Sequence, residues 1–164
     1  MQLVHISCTR YRWALIVGPK TETMTGRGIR YHAKEKVLGA GSTRWIYEDV
    51  EIPLMATNML LVCITIAKIQ NLEWVCEILQ AVPMKPDEDG WNCVVWVREV
   101  LDMLGKDNRA LRTRVINWNT VRDTAMSYCE KKKEGHQFDG LAEVQVDTTW
   151  APTFSLLTGK EELP

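Results

Sequence analysis

The feature that most constrains the fold is a mainly apolar run in the middle of the chain, MLLVCITIAKI at residues 59–69. A strand built from this run carries apolar side chains on both faces, and such a strand belongs in the interior of a sheet. Earlier segments offer neighbours for it, because they carry strand patterns separated by turn residues. These segments are residues 2–7, 12–18, 29–35 and 43–52. The first half of the chain is therefore predicted to form a sheet in which residues 59–69 are a central strand.

The second half of the chain carries helix signals, with apolar residues recurring along one face. Asn71 stands in the position of an N-terminal cap for the first helix, and Pro83 follows its end. Gly105 and Gly135 stand where the next two helices would stop, and three lysines precede Gly135, where the helix dipole favours cations. The helices are predicted over residues 71–82, 93–105 and 117–133.

These elements predict an α+β fold in which an antiparallel sheet packs against helices. The 164 residues fit a single domain, 1–164. Its strands lie mainly within 2–69 and its helices within 71–134. Residues 141–164, with Trp150 and Phe154 among prolines and polar residues, are predicted to be a tail that packs onto the domain.

Composition excludes several classes of protein. The net charge of −1 leaves no basic field for nucleic acid, and no apolar run is long enough to span a membrane. The start of the chain carries no secretion signal, and the five cysteines are spread without a CxxC pair. We therefore expect a cytoplasmic protein with reduced thiols and with neither a metal site nor a cofactor. Seven tryptophans favour a pocket for a small-molecule substrate.

Cys93 is the strongest single candidate for chemistry. It follows a loop and opens a helix, where backbone N–H groups and the helix dipole favour a thiolate nucleophile. The same amides can hold an oxyanion. The alternative is structural, because Cys93 also belongs to the apolar stripe of that helix and buried cysteines are common.

His32 and Glu48 are further candidates on the predicted strands. His32 shares a strand face with Arg30 and Lys34, so it either borders a cleft or is simply exposed. Glu48 shares a face with the apolar Ile46, so its carboxylate needs a partner or a raised pKa. A local bulge that turns Glu48 outward is the simpler expectation.

The segments RWALIVG, RYHAK and WNCVVWV together resemble the lecithin:retinol acyltransferase-like branch of the NlpC-type, papain-like superfamily. That branch has a His-Trp-Ala strand, a second histidine on the next strand and an Asn-Cys pair opening a helix. From residue 11 to the end, the chain is more closely similar to a small fungal protein family with no assigned activity. That closer likeness includes WNTVRDTAM and the C-terminal LLTGKE.

The resemblance implies roles for particular residues. Cys93 matches the nucleophile and His32 matches the second, polarising histidine, while Arg12 stands where the first histidine, the general base, is expected. Arginine stays protonated and offers donors but no acceptor, so Arg12 cannot take a proton from a thiol. It can instead stabilise a thiolate, a carboxylate or an enolate oxygen by charge. Substrate-binding residues are expected beside these positions, at Trp13, Glu48, Trp91 and Asn92.

Three functions remain open from the sequence. The favoured one is a small-molecule enzyme of fungal secondary metabolism that catalyses cyclisation, dehydration or isomerisation by acid–base and electrostatic means. The second is a hydrolase or acyltransferase that uses Cys93 and His32. The third is a non-catalytic binding domain with an occluded or collapsed cleft. Loss of the base histidine favours the first function, because hydrolysis needs that group and cyclisation does not.

Overall fold

The computed structural model describes residues 2–8, 12–19, 26–55, 60–139, 141 and 149–163. The described part contains three helices and one eight-stranded sheet. The strands are β1 (Gln2–Cys8), β2 (Trp13–Pro19), β3 (Arg27–Gly39), β4 (Ser42–Pro53), β5 (Val62–Ile69), β6 (Leu111–Arg114), β7 (Thr153–Ser155) and β8 (Lys160–Leu163). The helices are α1 (Leu72–Ala81), α2 (Cys93–Lys106) and α3 (Trp118–Glu134). The α+β class predicted from the sequence is confirmed at this level.

The strands follow the order β4-β3-β2-β1-β5-β7-β8. Strand β6 pairs with the part of β5 that lies beyond β7 on the same edge. The predicted central strand is confirmed, because β5 has neighbours on both sides. The pairs are antiparallel except for β5 with β7, which run parallel. The sheet is thus mainly antiparallel, as predicted, and its one described parallel pair involves β7, a strand in the tail that was not predicted.

The main core lies between the helices and one face of the sheet. Alternate residues of each central strand point into it, including Ile6, Leu15 and Ile64, all with no exposed surface. Trp96 and Leu104 of α2 are equally buried against that face. A smaller cluster covers part of the opposite face, around Ile16 and Cys63. The two faces of the sheet thus differ, with helices on one and little secondary structure on the other.

The helix starts agree with the capping pattern of the sequence. Asn71 accepts a hydrogen bond from the Trp74 amide, and Asn92 accepts from the amides that open α2. Helix α2 begins at Cys93, as predicted. Gly135 caps α3, but the stop predicted at Gly105 is wrong, because α2 continues to Lys106 and is capped by Asp107.

Two parts of the fold were missed by the sequence analysis. Strand β6 was not predicted at all, since its four residues LRTR carry no apolar pattern. The tail contains two strands that were not predicted, because β7 and β8 extend the sheet within residues 153–163. Tyr128 of α3 donates a 2.6 Å hydrogen bond to Glu161, which also pairs with Lys132. These contacts attach β8 to α3. No helix in the described part is both long and apolar enough to cross a membrane.

Candidate active site

The candidate site lies where two neighbouring strands separate. Strands β2 and β3 pair over three positions, from Val17–Ile29 to Leu15–Tyr31. Beyond Leu15 that pairing ends, while β3 stays paired with β4 almost to the hairpin turn. Residues 12–14 and 32–34 therefore face each other across an opening in the strand pairing.

A cavity of about 370 Å³ adjoins this opening on the helix side. Its volume lies within the range of small-molecule pockets, roughly 300–1,000 Å³. Arg12, His32 and Cys93 all line it, as expected from the resemblance. The other lining residues are Trp13, Ala33, Lys34, Glu35, Val37, Thr43 and Trp45.

His32 and Cys93 reach this cavity from opposite faces of the sheet. Tyr31 and Ala33 are buried in the helix-side core, so the alternation of β3 places His32 on the other face. Cys93, at the start of α2, belongs to the helix-side core and is 6% exposed. The opening between β2 and β3 is what allows both residues to border one cavity.

His32 is held by a carboxylate on the neighbouring strand. His32 and Glu48 are directly opposite each other in the β3–β4 register, and Nε2 lies 2.8 Å from Glu48 Oε2. The other Glu48 oxygen accepts from Lys34 Nζ at 3.0 Å. The hydrogen bond from His32, and then that from Lys34, lower the pKa of Glu48. An ionised carboxylate only accepts hydrogen bonds, so we assign the proton to Nε2, and Nδ1 is the basic nitrogen of the neutral ring.

The neutral form of His32 is favoured by its surroundings. Burial lowers the pKa of His32, and the positive charges of Arg30 and Lys34 lower it further. The bond to Glu48 opposes these effects without reversing them. At neutral pH the imidazole is therefore able to accept a proton at Nδ1.

Glu48 contacts His32 and Lys34 and does not reach the cavity. The β3–β4 register is continuous past Glu48 and shifts only near Gly39, so the expected bulge that would turn the side chain outward is wrong. Glu48 is also not among the residues that line the cavity. It orients His32 instead of contacting the cavity itself.

Asn92 and Trp91 also support the site without lining it. The Asn92 side chain accepts from Val94 N at 2.9 Å and from Val95 N at 3.3 Å. These two amides are thus already occupied, which removes them as donors for the oxyanion expected at this helix start. Trp91 packs edge-on against Trp45, with ring centroids 5.8 Å apart, and its indole donates to Glu99. Of the predicted substrate-binding residues, only Trp13 lines the cavity.

A second, smaller cavity of about 120 Å³ lies on the other side of the opening. Arg12, Trp13, His32 and Lys34 line both cavities, so the two meet at the gap between β2 and β3. The remaining lining residues of the smaller cavity are Ser7, Ala14 and Arg30. Beside the shared residues, the larger cavity thus has Trp45 in its wall and the smaller one has Arg30.

Comparison with known proteins assigns a family but no activity. Residues 4–163 match a protein family described as a family of unknown function, DUF6914. The chain belongs to this family. No curated protein and no solved structure matches it significantly. The candidate site is therefore the basis for proposing a function for this DUF6914 protein. The relationship to the NlpC-type superfamily stays a prediction.

The lining residues of the DUF6914 site that sequence reasoning missed include the charged Arg30 and Lys34 and the aromatic Trp45. The first two share the strand face of His32, and that shared face was a signal for them. Trp45 lies opposite Glu35 in the register, which only strand pairing reveals. Within the described ranges, no three His, Cys, Asp or Glu side chains come together as metal ligands would.

Acidification is expected to destabilise this DUF6914 protein through the His32–Glu48 pair. The folded-state pKa of His32 lies below its ordinary value of 6.5, so as pH falls the unfolded chain binds this proton first. The Glu48 pKa lies below its ordinary 4.5, so its contribution is lost as pH falls through the folded value. Both effects lower the free energy of unfolding on acidification, first below pH 6.5 and again below 4.5. Urea unfolding at several pH values should show a shallower decline for a His32→Gln/Glu48→Gln double variant, and an equally steep decline would contradict the linkage.

Proposed function

We propose that this protein is a small-molecule enzyme that moves a proton on a carbonyl-containing substrate, leading to isomerisation, cyclisation or dehydration. The observation that carries the proposal is the arrangement of His32, oriented by Glu48 at 2.8 Å, beside Arg12 on one cavity of about 370 Å³. A base and a fixed cation on one pocket wall are the parts that such chemistry needs. The open cavity also differs from the collapsed cleft expected of a non-catalytic descendant.

His32 supplies the base in this proposal. Nδ1 takes a proton from the carbon next to the carbonyl, and the electron pair of that C–H bond moves onto the carbonyl oxygen. Glu48 holds the other ring nitrogen, so it stabilises the imidazolium that forms. Return of the proton to another carbon gives an isomer, whereas attack by the enolate or loss of a leaving group gives a ring or an alkene.

Arg12 supplies the charge that stabilises the enolate oxygen. Its guanidinium carries a permanent positive charge and offers two parallel N–H donors. Trp13 and Trp45 give the same cavity an aromatic wall for the body of the substrate. In this proposal, the arginine that stands where the resemblance implies a histidine stabilises the enolate oxygen.

The proposal is tested by proton exchange in D₂O. The protein is incubated with a panel of 2-oxo acids, β-keto esters and β-diketones with aromatic and aliphatic bodies. Loss of the α-proton signal is followed by ¹H NMR. We expect exchange above the uncatalysed rate for at least one member, with Cys93→Ser nearly as active as the wild type. Exchange that never exceeds the buffer rate for any member would count against the proposal.

A cysteine-dependent acyl transfer is the second candidate, because Cys93 opens α2 and lines the same cavity as His32. In that case Cys93 Sγ would attack an ester carbonyl and release the alcohol, leaving an acyl-thioester on Cys93. Reaction with p-nitrophenyl acetate distinguishes the two functions. An acyl adduct on Cys93, detected by mass spectrometry and turned over by water, would favour this second function, particularly if Cys93→Ser also abolishes activity.

A further inference from the structure

The smaller cavity carries more positive charge than the proton-transfer chemistry requires, because that chemistry uses Arg12 alone. Three cationic side chains line its 120 Å³, those of Arg12, Arg30 and Lys34, and no carboxylate lines it in the described part of the chain. Lys34 is paired with Glu48 at 3.0 Å, so its charge is compensated within the protein.

Part of the Arg30 side chain is buried in an energetically unfavourable way. Its Nε atom is buried, and it has no hydrogen-bond partner among the described residues. A buried N–H of a charged group without an acceptor is unfavourable, so such a group in a native protein calls for an explanation. Other atoms of Arg30 line the neighbouring cavity, so an anion bound there compensates the charge of the guanidinium. Its charge also reaches His32, whose pKa it helps to lower.

The position of this cavity relates it to the candidate active site. Arg12, Trp13 and His32 line both cavities, so a ligand group on the cationic side is continuous with a body on the side of Trp45 and Cys93. The small volume suits a compact anionic group, and the planar donors of arginine suit the two oxygens of a carboxylate.

We propose that the smaller cavity is a carboxylate subsite, held by Arg30 and Arg12, and that the substrate is a small organic acid with an aromatic or apolar body. The body passes through the opening between β2 and β3 and packs against Trp13 and Trp45. This inference rests on the proposed function and names its substrate class. It places the reacting carbon beside His32, between the anchored carboxylate and the aromatic or apolar body.

The test compares benzoate with benzamide, which have the same size but differ in charge. Binding is followed by NMR on the Arg30 Nε–H signal and the His32 ring signals during titration. We expect benzoate to bind at least about ten-fold more tightly than benzamide, as the loss of one charge-assisted pair would predict. Arg30→Gln should reduce this preference to nearly none. Arg12→Gln is a second variant whose position outside the strands should leave folding intact, and it should weaken the preference as well.

The control is Arg44→Gln, which removes the same charge from an exposed position on the same hairpin. It should keep the preference for benzoate. Equal affinities for the two probes, no response of the Arg30 and His32 signals to benzoate, or an equal loss in Arg44→Gln would overturn the subsite. A response to inorganic phosphate with none to benzoate would overturn the carboxylate assignment. Benzoate has no α-proton, so its binding is independent of turnover, and a preserved preference without proton exchange would count against the proposed function alone.

Discussion

Replacing His32 with glutamine is expected to lower the catalysed proton exchange by about 10²- to 10⁴-fold, the usual contribution of a general base. Glutamine can still donate to Glu48, but it has no basic nitrogen. The measurement is the rate of α-proton loss in D₂O for the best substrate of the panel. His136→Gln is the matched control, because His136 is exposed and pairs with Asp139 through the local turn. Exchange that survives in His32→Gln would remove His32 as the base.

The Glu48→Gln variant separates orientation from proton transfer. Glu48 raises the pKa of His32 through its hydrogen bond and charge, against burial and the nearby cations. Without that carboxylate the pKa of His32 should fall further, so the acid limb of the pH–rate profile should move to lower pH. A reduced rate with an unmoved acid limb would contradict this positioning role, since a merely structural role would leave the limb in place.

Arg12→Lys is expected to reduce exchange by about 10- to 100-fold, because it keeps the positive charge but loses the planar pair of donors, a charge-assisted bond of roughly 1.5–3 kcal/mol. Arg12→His is expected to remove that activity while increasing the reactivity of Cys93. It would restore the histidine that the resemblance to the NlpC-type superfamily implies, and a histidine near the thiol favours the thiolate.

These two outcomes are measured together on purified variants. One measurement is proton exchange, and the other is the rate at which iodoacetamide alkylates Cys93 as a function of pH, followed by peptide mass spectrometry. Equal behaviour of the wild type, Arg12→Lys and Arg12→Ala in both measurements, within about two-fold, would identify Arg12 as a surface residue without a role.

Local sequence signals predicted most of the regular structure. The apolar run at 59–69 contains the central strand β5, because a strand that is covered on both faces tolerates apolar side chains on both. The start of α2 at Cys93 was predictable from a single preceding residue, because the Asn92 side chain binds the first free amides of the helix. The local rule failed at Gly105, because α2 continues through this residue to Lys106 and is capped by Asp107.

The edges of the sheet were decided by pairing across long stretches of chain. Strand β7 has three residues, and it is a strand because β5 offers an unpaired edge beside it. Strand β6 pairs with the other half of that edge. Neither strand has a hydrophobic period of its own, so the sequences of residues 111–114 and 153–155 alone do not identify them as strands.

The candidate site divides in the same way between sequence and tertiary structure. The sequence by itself identified Cys93, His32 and Arg12 as candidates, because their side chains have their acid–base properties wherever they lie. Only the tertiary structure decided that His32 and Cys93 stand on opposite faces of the sheet and border one cavity. Alternation along a strand is local, whereas the point at which β2 stops pairing with β3 depends on the packing of the whole sheet, and that point creates the cavity.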